Sequence, residues 1–176
     1  MGTKAETTRY RFEPLDKNRH DRASFSCGAE ALDNYLKKQA GQDVEKRVAA
    51  VFIATDDGTT IAGYYTLSQY SIQAGEFPAA ALKQLKLPRY PALPATLIGR
   101  LARATSHKGR GLGELLLMSA LERALAASRG IASIAVVVDA KDEAAIKFYA
   151  SYGFIRLPEH PNRLFLPMAT VEMMFR

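Results

Sequence analysis

The first clear pattern of apolar positions along the chain has a helical period. In the stretch FSCGAEALDNYLKKQAGQ, the side chains of Leu32, Tyr35 and Leu36 recur at helical spacing and would share one face. Ser26 precedes this run and Gly41 follows it, and these residue types are typical of helix starts and ends. The pattern predicts a first amphipathic helix that ends near Gly41.

Two apolar runs rich in β-branched residues come next and predict a pair of strands. The runs are VAAVFIAT at 48–55 and TIAGYYTLSQYSI at 60–72, with the turn DDGT between them. A tight turn between two such runs favours a hairpin. Residues 74–96 then carry four of the eight prolines, so we predict a long excursion loop around one helical turn.

The second half of the chain alternates between strand and helix patterns. TLIGRLA at 96–102 predicts a central strand, and a glycine-rich segment then leads into a helix that runs to Gly130. IASIAVVVDA at 131–140 predicts a buried strand, and the helix that follows it is stopped by Gly153. RLFLPMATVEMMF supplies a last strand and a tail. The order predicts an α/β (α+β) fold with a single mixed central sheet flanked by helices, in one domain spanning 1–176.

Composition narrows the range of partners. Lys and Arg number 24 against 18 Asp and Glu, so the formal charge is +6 and the sequence pI is about 9.5. Such a balance favours anionic partners such as nucleotide cofactors or nucleic acid, although charge alone leaves a merely basic surface equally open.

Cysteine usage and hydropathy bear on location. Cys27 is the single cysteine, so no internal disulfide is possible, and no histidine partner for a catalytic thiol is readable from the sequence. We therefore expect Cys27 to be a small buried residue beside the first helix. No apolar run approaches the roughly 18 residues that a membrane span needs, so we predict a cytoplasmic protein.

The glycine-rich segment KGRGLG, at 108–113, is the strongest chemical signal. It lacks the Walker spacing, and Glu114 stands where a dinucleotide-binding loop would need a third glycine. Glycines at a strand-to-helix turn let backbone amides approach a ligand, and a helix N-terminus attracts an anion. The segment therefore predicts a phosphate or pyrophosphate site, while a turn without a ligand stays open.

Three segments together resemble the GNAT family of N-acetyltransferases. KGRGLG resembles the Q/R-x-x-G-x-G/A acetyl-CoA loop of that family, GRLAR lies where the family keeps its cofactor strand, and AAIKFYASYGF resembles its A-x-x-F-Y-x-x-x-G-F segment. Lys108 departs from the usual Gln or Arg, which keeps a positive donor but loses the guanidinium fork. Four further segments are similar to the acetyltransferase toxins of bacterial type II toxin–antitoxin systems, which acetylate aminoacyl-tRNA. They are FSCGAEALDNYLKKQA, IAGYYTLS, LPATLIGRLA and RLFLPMATVEMMF.

The resemblance implies acetyl-CoA as the cofactor and assigns roles to individual residues. Backbone amides of the loop would hold the pyrophosphate, and the preceding strand would pair with the pantetheine arm and polarise the acetyl carbonyl. Tyr149 would protonate the departing thiolate. No metal is implied. The implied cofactor contacts are Leu101, Ala102, Arg103, Lys108, Gly109, Arg110, Gly111, Leu112 and Gly113.

Two features of the sequence bear on the identity of the substrate: the distribution of positive charge and the lack of a readable general base. His107 adjoins the loop and is expected to support it or to face solvent, while His20 and His160 lie in polar segments and are expected at the surface. An α-amine has a pKa of about 7.7–8.0 and needs little base, whereas a lysine amine needs more. Candidates for contacts with tRNA phosphates are Lys83, Lys86, Arg89 and Arg100, with Lys37 and Lys38 on the first helix.

Three functions therefore stay open. The first is a toxin that acetylates the α-amino group of aminoacyl-tRNA by direct transfer in a ternary complex, for which the resemblance implies a ribbon-helix-helix antitoxin and allows a homodimer. The second is an acetyltransferase of a small amine or a protein N-terminus. The third is a basic RNA-binding module whose cofactor site is vestigial.

Overall fold

The fold is built on one mixed sheet, in a computed structural model that describes residues 9–176. Seven strands within this range have the spatial order β1-β2-β3-β4-β5-β7-β6. The strands are β1 (Arg11–Pro14), β2 (Ala50–Thr55), β3 (Gly63–Gln73), β4 (Ala92–Arg103), β5 (Ala135–Asp139), β6 (Ile155–Leu157) and β7 (His160–Pro167). β4 and β5 are parallel, whereas the pairs β1–β2, β5–β7 and β6–β7 are antiparallel. The predicted single mixed sheet with helices is confirmed.

Helices connect these strands. They are α1 (Glu30–Asn34), α2 (Ala40–Glu45), α3 (Ala79–Leu85), α4 (Leu112–Ala127), α5 (Glu143–Ser151) and α6 (Met168–Met174). A π-helical turn, Tyr35–Gln39, joins α1 to α2, and 3₁₀ turns lie at Ala74–Glu76 and Thr105–His107. No helix in the described range is both long enough and apolar enough to cross a bilayer.

The chain packs as two compact units. Among the described residues, the first comprises 9–66 together with Leu101–Ser119, and the second comprises Leu67–Arg100 and Ala120–Arg176. Each unit has its own apolar cluster, built in the first around Leu36, Ile53 and Tyr64 and in the second around Ile72, Val137 and Phe165. The single domain spanning 1–176 stays a prediction.

The first helical segment begins and ends later than predicted. Ser26 is not a cap, because its carbonyl accepts the N–H of Thr105 at 2.9 Å and α1 begins only at Glu30. Gly41 lies inside α2, without the positive φ of a helix-ending glycine. Arg47, at φ 58°, takes the left-handed conformation after the helix instead.

The predicted excursion loop over 74–96 is wrong. It contains a 3₁₀ turn, then α3, and β4 already begins at Ala92. Phe77 draws this segment into the core, because its ring is 5% exposed and packs edge-on against Phe165 at 5.4 Å. Pro94 has no N–H to donate in β4, but its carbonyl still accepts the N–H of Ile134 at 2.9 Å.

Smaller differences from the predicted elements occur at the two termini and in two strands of the second half of the chain. β1 was not predicted, since its charged side chains hide the strand pattern but suit the sheet edge that it forms. The predicted tail contains α6, which is anchored by the buried Met168 and Val171. β6 was also missed, and β5 is shorter than 131–140 because it begins only at Ala135.

Candidate functional site

The glycine segment of the first unit has a backbone that only glycine adopts without strain. Gly109 and Gly111 have φ angles of +80° and +70°. A Cβ built at either position would meet nothing within 4 Å, so packing does not demand glycine there. The left-handed backbone itself is what selects glycine at both positions.

The backbone amides that follow are available to an anion. The first hydrogen bond of α4 runs from the Leu115 N–H to the Gly111 carbonyl at 3.3 Å. The N–H groups of Leu112 and Gly113 come before it and have no acceptor in the helical ladder. The Lys108 N–H is different, because it donates to the Thr105 carbonyl at 3.2 Å. The amides that an anion could contact therefore begin after Lys108, whose side chain is exposed.

His107 supports this loop from inside. It is 8% exposed, and the Tyr10 hydroxyl lies 2.8 Å from its Nδ1 atom. Arg110 places Nη1 3.4 Å from the same nitrogen. Since a guanidinium only donates, this contact uses Nδ1 as the acceptor. Of the two expectations for His107, support of the loop is the one that the structure matches.

The end of β4 offers an edge on which a ligand could pair. The Ala104 N–H donates to the Ala62 carbonyl at 2.8 Å, and the carbonyl of Ala102 lies 2.9 Å from the position of a Cβ on Gly63. Successive residues of a strand direct their peptide groups to opposite sides. Ala102 therefore faces β3, whereas the peptide groups of Leu101 and Arg103 point away from it.

Tyr149 lies on α5 in the second unit and is held by aromatic contacts. Its ring is 4% exposed and packs edge-on against Phe148 and Phe154 at 5.2 and 5.5 Å. Burial, helped by the negative charge of Asp139, raises the pKa of the phenol well above its usual value. No hydrogen bond to the hydroxyl occurs among residues 9–176. Within the described part of the chain, the phenol is thus a protonated donor without an acceptor.

Sequence reasoning missed an ion pair in the same unit. The Asp139 carboxylate accepts two hydrogen bonds from Arg163, at 2.6 and 3.2 Å, across the β5–β7 pair. Arg163 also donates to the Tyr70 hydroxyl at 2.8 Å, and its guanidinium lies 4.9 Å from the centre of that ring. An acidic residue directly after the buried run AVVV was a readable signal, because strand ends carry functional groups in open α/β sheets.

The predicted tRNA contacts are only partly brought together. Lys83 and Arg89 line one pocket of the second unit, whereas Lys86 follows α3 in a left-handed conformation and is not among the lining residues. Arg100 is half-buried on β4. Lys37 lines a pocket of the first unit, and Lys38 is exposed beside it.

The prediction of a surface His20 is wrong. It is 4% exposed, its Nε2 lies 2.7 Å from Glu13 Oε1, and its Nδ1 accepts the Asp16 N–H at 2.9 Å. The two hydrogen bonds compensate burial of the ring. His160 is half-buried and lies 2.8 Å from Glu76 Oε1. Cys27 is half-buried against the apolar cluster of the first unit.

Comparisons with known proteins identify the family of this chain. The chain matches the model of the acetyltransferase (GNAT) family over residues 15–154. A protein of Sinorhizobium fredii named probable toxin TacT is 35% identical over 168 residues, covering 91% of this chain and 92% of the relative. A tRNA-acetylating toxin of Mycobacterium tuberculosis is 32% identical over 148 residues, covering 84% of this chain and 86% of the relative.

Solved structures of the AtaT toxin also match this chain. AtaT complexed with acetyl-methionyl-tRNAfMet matches with a TM-score of 0.86 and 30% identity over 96% of this chain and 100% of that chain. A tyrosine-to-phenylalanine mutant of the AtaT toxin, bound to the C-terminus of the antitoxin AtaR and acetyl-CoA, matches with a TM-score of 0.80 and 26% identity over 94% of this chain and 98% of that chain. Because the family model covers residues 15–154 and both relatives align along most of the sequence, the chain belongs to the acetyltransferase (GNAT) family.

Proposed function

We propose that this protein is an acetyl-CoA-dependent N-acetyltransferase that acetylates the α-amino group of aminoacyl-tRNA and thereby blocks translation as a toxin. One observation carries the proposal: a structure of AtaT complexed with acetyl-methionyl-tRNAfMet matches 96% of this chain with a TM-score of 0.86. The relative from Mycobacterium tuberculosis, a tRNA-acetylating toxin, supports the same substrate class.

The first unit has the features that a CoA pyrophosphate requires. Positive φ angles at Gly109 and Gly111 turn the backbone. The amides of Leu112 and Gly113, which have no acceptor in the helical ladder, open the 16-residue helix α4. A helix N-terminus of this kind stabilises a phosphate through its N–H groups and its dipole. The exposed side chains of Lys108 and Arg110 add positive charge.

The pantetheine arm is assigned to the end of β4. Leu101 and Arg103 present peptide groups on the side away from β3, which suits strand-like pairing with an amide-containing arm. Ala102 would contribute through its side chain alone, because its peptide groups face β3. When bound, acetyl-CoA supplies an acetyl group activated as a thioester.

Tyr149 is assigned as the general acid. Its hydroxyl holds a proton at every physiological pH, because burial raises the pKa of the phenol. The O–H group can give this proton to the thiolate sulfur as the C–S bond breaks, and the phenolate then recovers a proton from solvent. The attacking α-amine needs little help, since its own pKa of about 7.7–8.0 leaves much of it neutral near pH 7.5.

The raised pKa of Tyr149 should determine how kcat depends on pH at alkaline pH. The active form of this acid is protonated, so a raised pKa moves the loss of activity above the pH of about 10 at which an ordinary phenol ionises. We expect kcat to rise as the amine deprotonates and then to stay level up to about pH 9.5. Initial rates over short times measure this before the aminoacyl ester hydrolyses. A fall in kcat below pH 9.5 that disappears in Tyr149→Phe would contradict the buried, protonated phenol.

A substitution at Gly111 should weaken the cofactor site. Gly111→Ala places a side chain on a backbone with φ +70°, at a cost of about 1–2 kcal/mol. The loop can relieve this strain only by turning its amides, so we expect a lower Tm and a higher Kd for acetyl-CoA, measured by calorimetry. Gly130→Ala is the matched control, since its φ is not positive and the nearest atom to its Cβ lies at 3.9 Å. Equal effects of the two substitutions on Tm and on the Kd for acetyl-CoA would contradict the role of the left-handed backbone at Gly111.

The substrate is tested directly with charged tRNA. Purified protein is incubated with labelled acetyl-CoA and aminoacyl-tRNA, uncharged tRNA, free amino acids or a peptide with a free N-terminus. We expect label in aminoacyl-tRNA alone, and its release by base as an N-acetyl amino acid. Label in the free amino acids or in the peptide instead would favour the second function.

The proposed toxin role implies an antitoxin partner and a cellular location. An AtaT structure contains the C-terminus of the antitoxin AtaR, which supports an antitoxin partner for this protein. The ribbon-helix-helix class of that antitoxin stays a prediction. We also place the protein in the cytoplasm, where charged tRNA and acetyl-CoA are found. A homodimer stays a prediction. Growth arrest on expression, relieved by co-expression of the antitoxin, is the outcome expected of this role.

A further inference from the structure

We infer that a pocket in the second unit binds an unpaired nucleotide of the RNA substrate, with the base stacked on Tyr90 and its phosphate held by Lys83 and Arg89. This inference rests on the proposed function, because it names the part of the tRNA that this surface would recognise. It adds a base-stacking residue to a group of cations that charge alone could only suggest.

The pocket has the size and lining of a ligand site. It has a volume of about 620 Å³, within the usual range of about 300–1,000 Å³ for small-molecule sites. Leu82, Leu87 and Leu93 form its apolar part, while Lys83, Arg89 and Tyr90 supply the polar groups. We call it the Tyr90 pocket. All its lining residues fall between Ala74 and Leu93, so it is formed by one continuous segment.

Tyr90 is exposed, yet its backbone is fixed. The side chain is 62% exposed, and prolines stand at positions 88 and 91 around it. The Tyr90 N–H donates to the Pro88 carbonyl at 2.9 Å, and the Pro91 carbonyl accepts the Ala74 N–H at 3.0 Å. A rigid backbone lowers the entropy lost when an aromatic side chain binds a ligand. The ring is therefore presented to solvent by a stiff support.

The charge of the pocket selects a negative partner. Lys83 and Arg89 are its charged lining residues, and no carboxylate lines it. A lysine and an arginine beside an exposed aromatic ring form the combination by which proteins bind single-stranded nucleic acid, with stacking for the base and cations for the backbone. An apolar peptide would leave both cations unpaired, which disfavours it as the occupant.

The stacking partner must be an unpaired base. Bases inside a duplex expose only their edges, whereas unpaired bases can be splayed onto an aromatic ring. A charged tRNA has such nucleotides at its 3′ end, next to the aminoacyl ester. The Tyr90 pocket is assigned to this single-stranded end, because an enzyme that acts on the aminoacyl ester has to hold the nucleotides beside it.

The test compares Tyr90 variants on two RNA ligands. Binding of the full-length protein is measured with uncharged tRNA and with the same tRNA lacking its unpaired 3′ nucleotides. We expect Tyr90→Ala to raise the Kd for intact tRNA by about tenfold, and Tyr90→Phe, which keeps the ring, to change it by less than about twofold. With the shortened tRNA, Tyr90→Ala and the wild type should bind equally. Ile131→Ala, at another side chain that is 67% exposed, is the matched control.

Salt dependence tests the phosphate contact of Lys83, and enzyme kinetics test which nucleotide binds at Tyr90. Lys83→Ala should reduce the slope of log Kd against log salt by about 0.7, as the loss of one phosphate contact on a single strand does. Tyr90→Ala should raise the KM for aminoacyl-tRNA and leave the KM for acetyl-CoA unchanged, which separates an RNA nucleotide from the nucleotide of CoA. A rise confined to the KM for acetyl-CoA would overturn the inference.

The inference and the proposed function fail in different ways. Equal tRNA affinity of Tyr90→Ala and wild type would reject the Tyr90 pocket as an RNA site, while wild-type acetylation of charged tRNA would stand. If wild-type protein does not acetylate charged tRNA, the proposed function fails. A 3′-terminal tetranucleotide carrying 2-aminopurine then decides the inference, because stacking on Tyr90 quenches its fluorescence, and unquenched fluorescence at saturation overturns it.

Discussion

Replacing Tyr149 with phenylalanine is expected to lower kcat by about two orders of magnitude or more, with little change in the Kd for acetyl-CoA. General acid catalysis contributes about 10²–10⁴-fold, and the substitution removes only the proton donor. The aromatic contacts with Phe148 and Phe154 are kept. Because the hydroxyl has no hydrogen-bond partner in residues 9–176, its loss strands no other group, and Tm should be unchanged.

Tyr152→Phe is the matched control for this experiment. Tyr152 lies one helical turn further on, at the end of α5, and its ring packs edge-on against Phe148 at 5.2 Å. We expect its kcat to stay within a few-fold of wild type, as measured by release of free CoA. A large loss in Tyr152→Phe with a small one in Tyr149→Phe would move the acid to the other tyrosine. Comparable small losses in both would remove the proposed general acid.

Gly63→Ala is expected to destabilise the protein and to weaken cofactor binding together. A Cβ on Gly63 would lie 2.8 Å from Leu116 Cδ1 and 2.9 Å from the Ala102 carbonyl oxygen. The leucine can rotate, but the carbonyl belongs to the backbone of β4, so the strand must shift. Overpacking of this kind costs about 1–3 kcal/mol, and each kcal/mol lowers Tm by about 2–4 °C in a chain of this length.

The control for Gly63→Ala is a glycine in open space. A Cβ on Gly75 would meet nothing within 4 Å, and its φ is not positive, so Gly75→Ala should leave Tm equal or slightly higher. The shift of β4 in Gly63→Ala also displaces Leu101 and Arg103, and we expect a raised Kd for acetyl-CoA by calorimetry. A stable Gly63→Ala with wild-type affinity would contradict the close approach of β3 and β4.

The strand-to-helix turn at KGRGLG and the mixed sheet were predictable from the sequence, because both depend on local signals. KGRGLG indicated an anion site by spacing alone, since glycine is selected by backbone conformation and not by distant contacts. The runs that became β2 and β3 were readable from their β-branched residues. Tyr149 was different, because only the family resemblance separated it from an ordinary buried aromatic residue, and its role stays a prediction.

What the sequence did not reveal depends on distant partners. Residues 74–96 look like a loop until the buried ring of Phe77 meets Phe165, almost ninety positions away. The buried His20 needed Glu13 and the turn at Asp16 to compensate its polar atoms. Asp139 could have been singled out at the end of its strand, but its partner Arg163 follows from the register of β5 against β7, which is not readable locally.

The open space around Gly109 and Gly111 has a stereochemical consequence. Both residues have φ angles that L-amino acids avoid and that their mirror images prefer, and nothing crowds either Cβ position. The constraint on this loop is therefore one of handedness and not of size. A D-alanine introduced at either position by chemical synthesis would keep the amides in place and would also restrict the unfolded chain, whereas the natural L-alanine cannot do both.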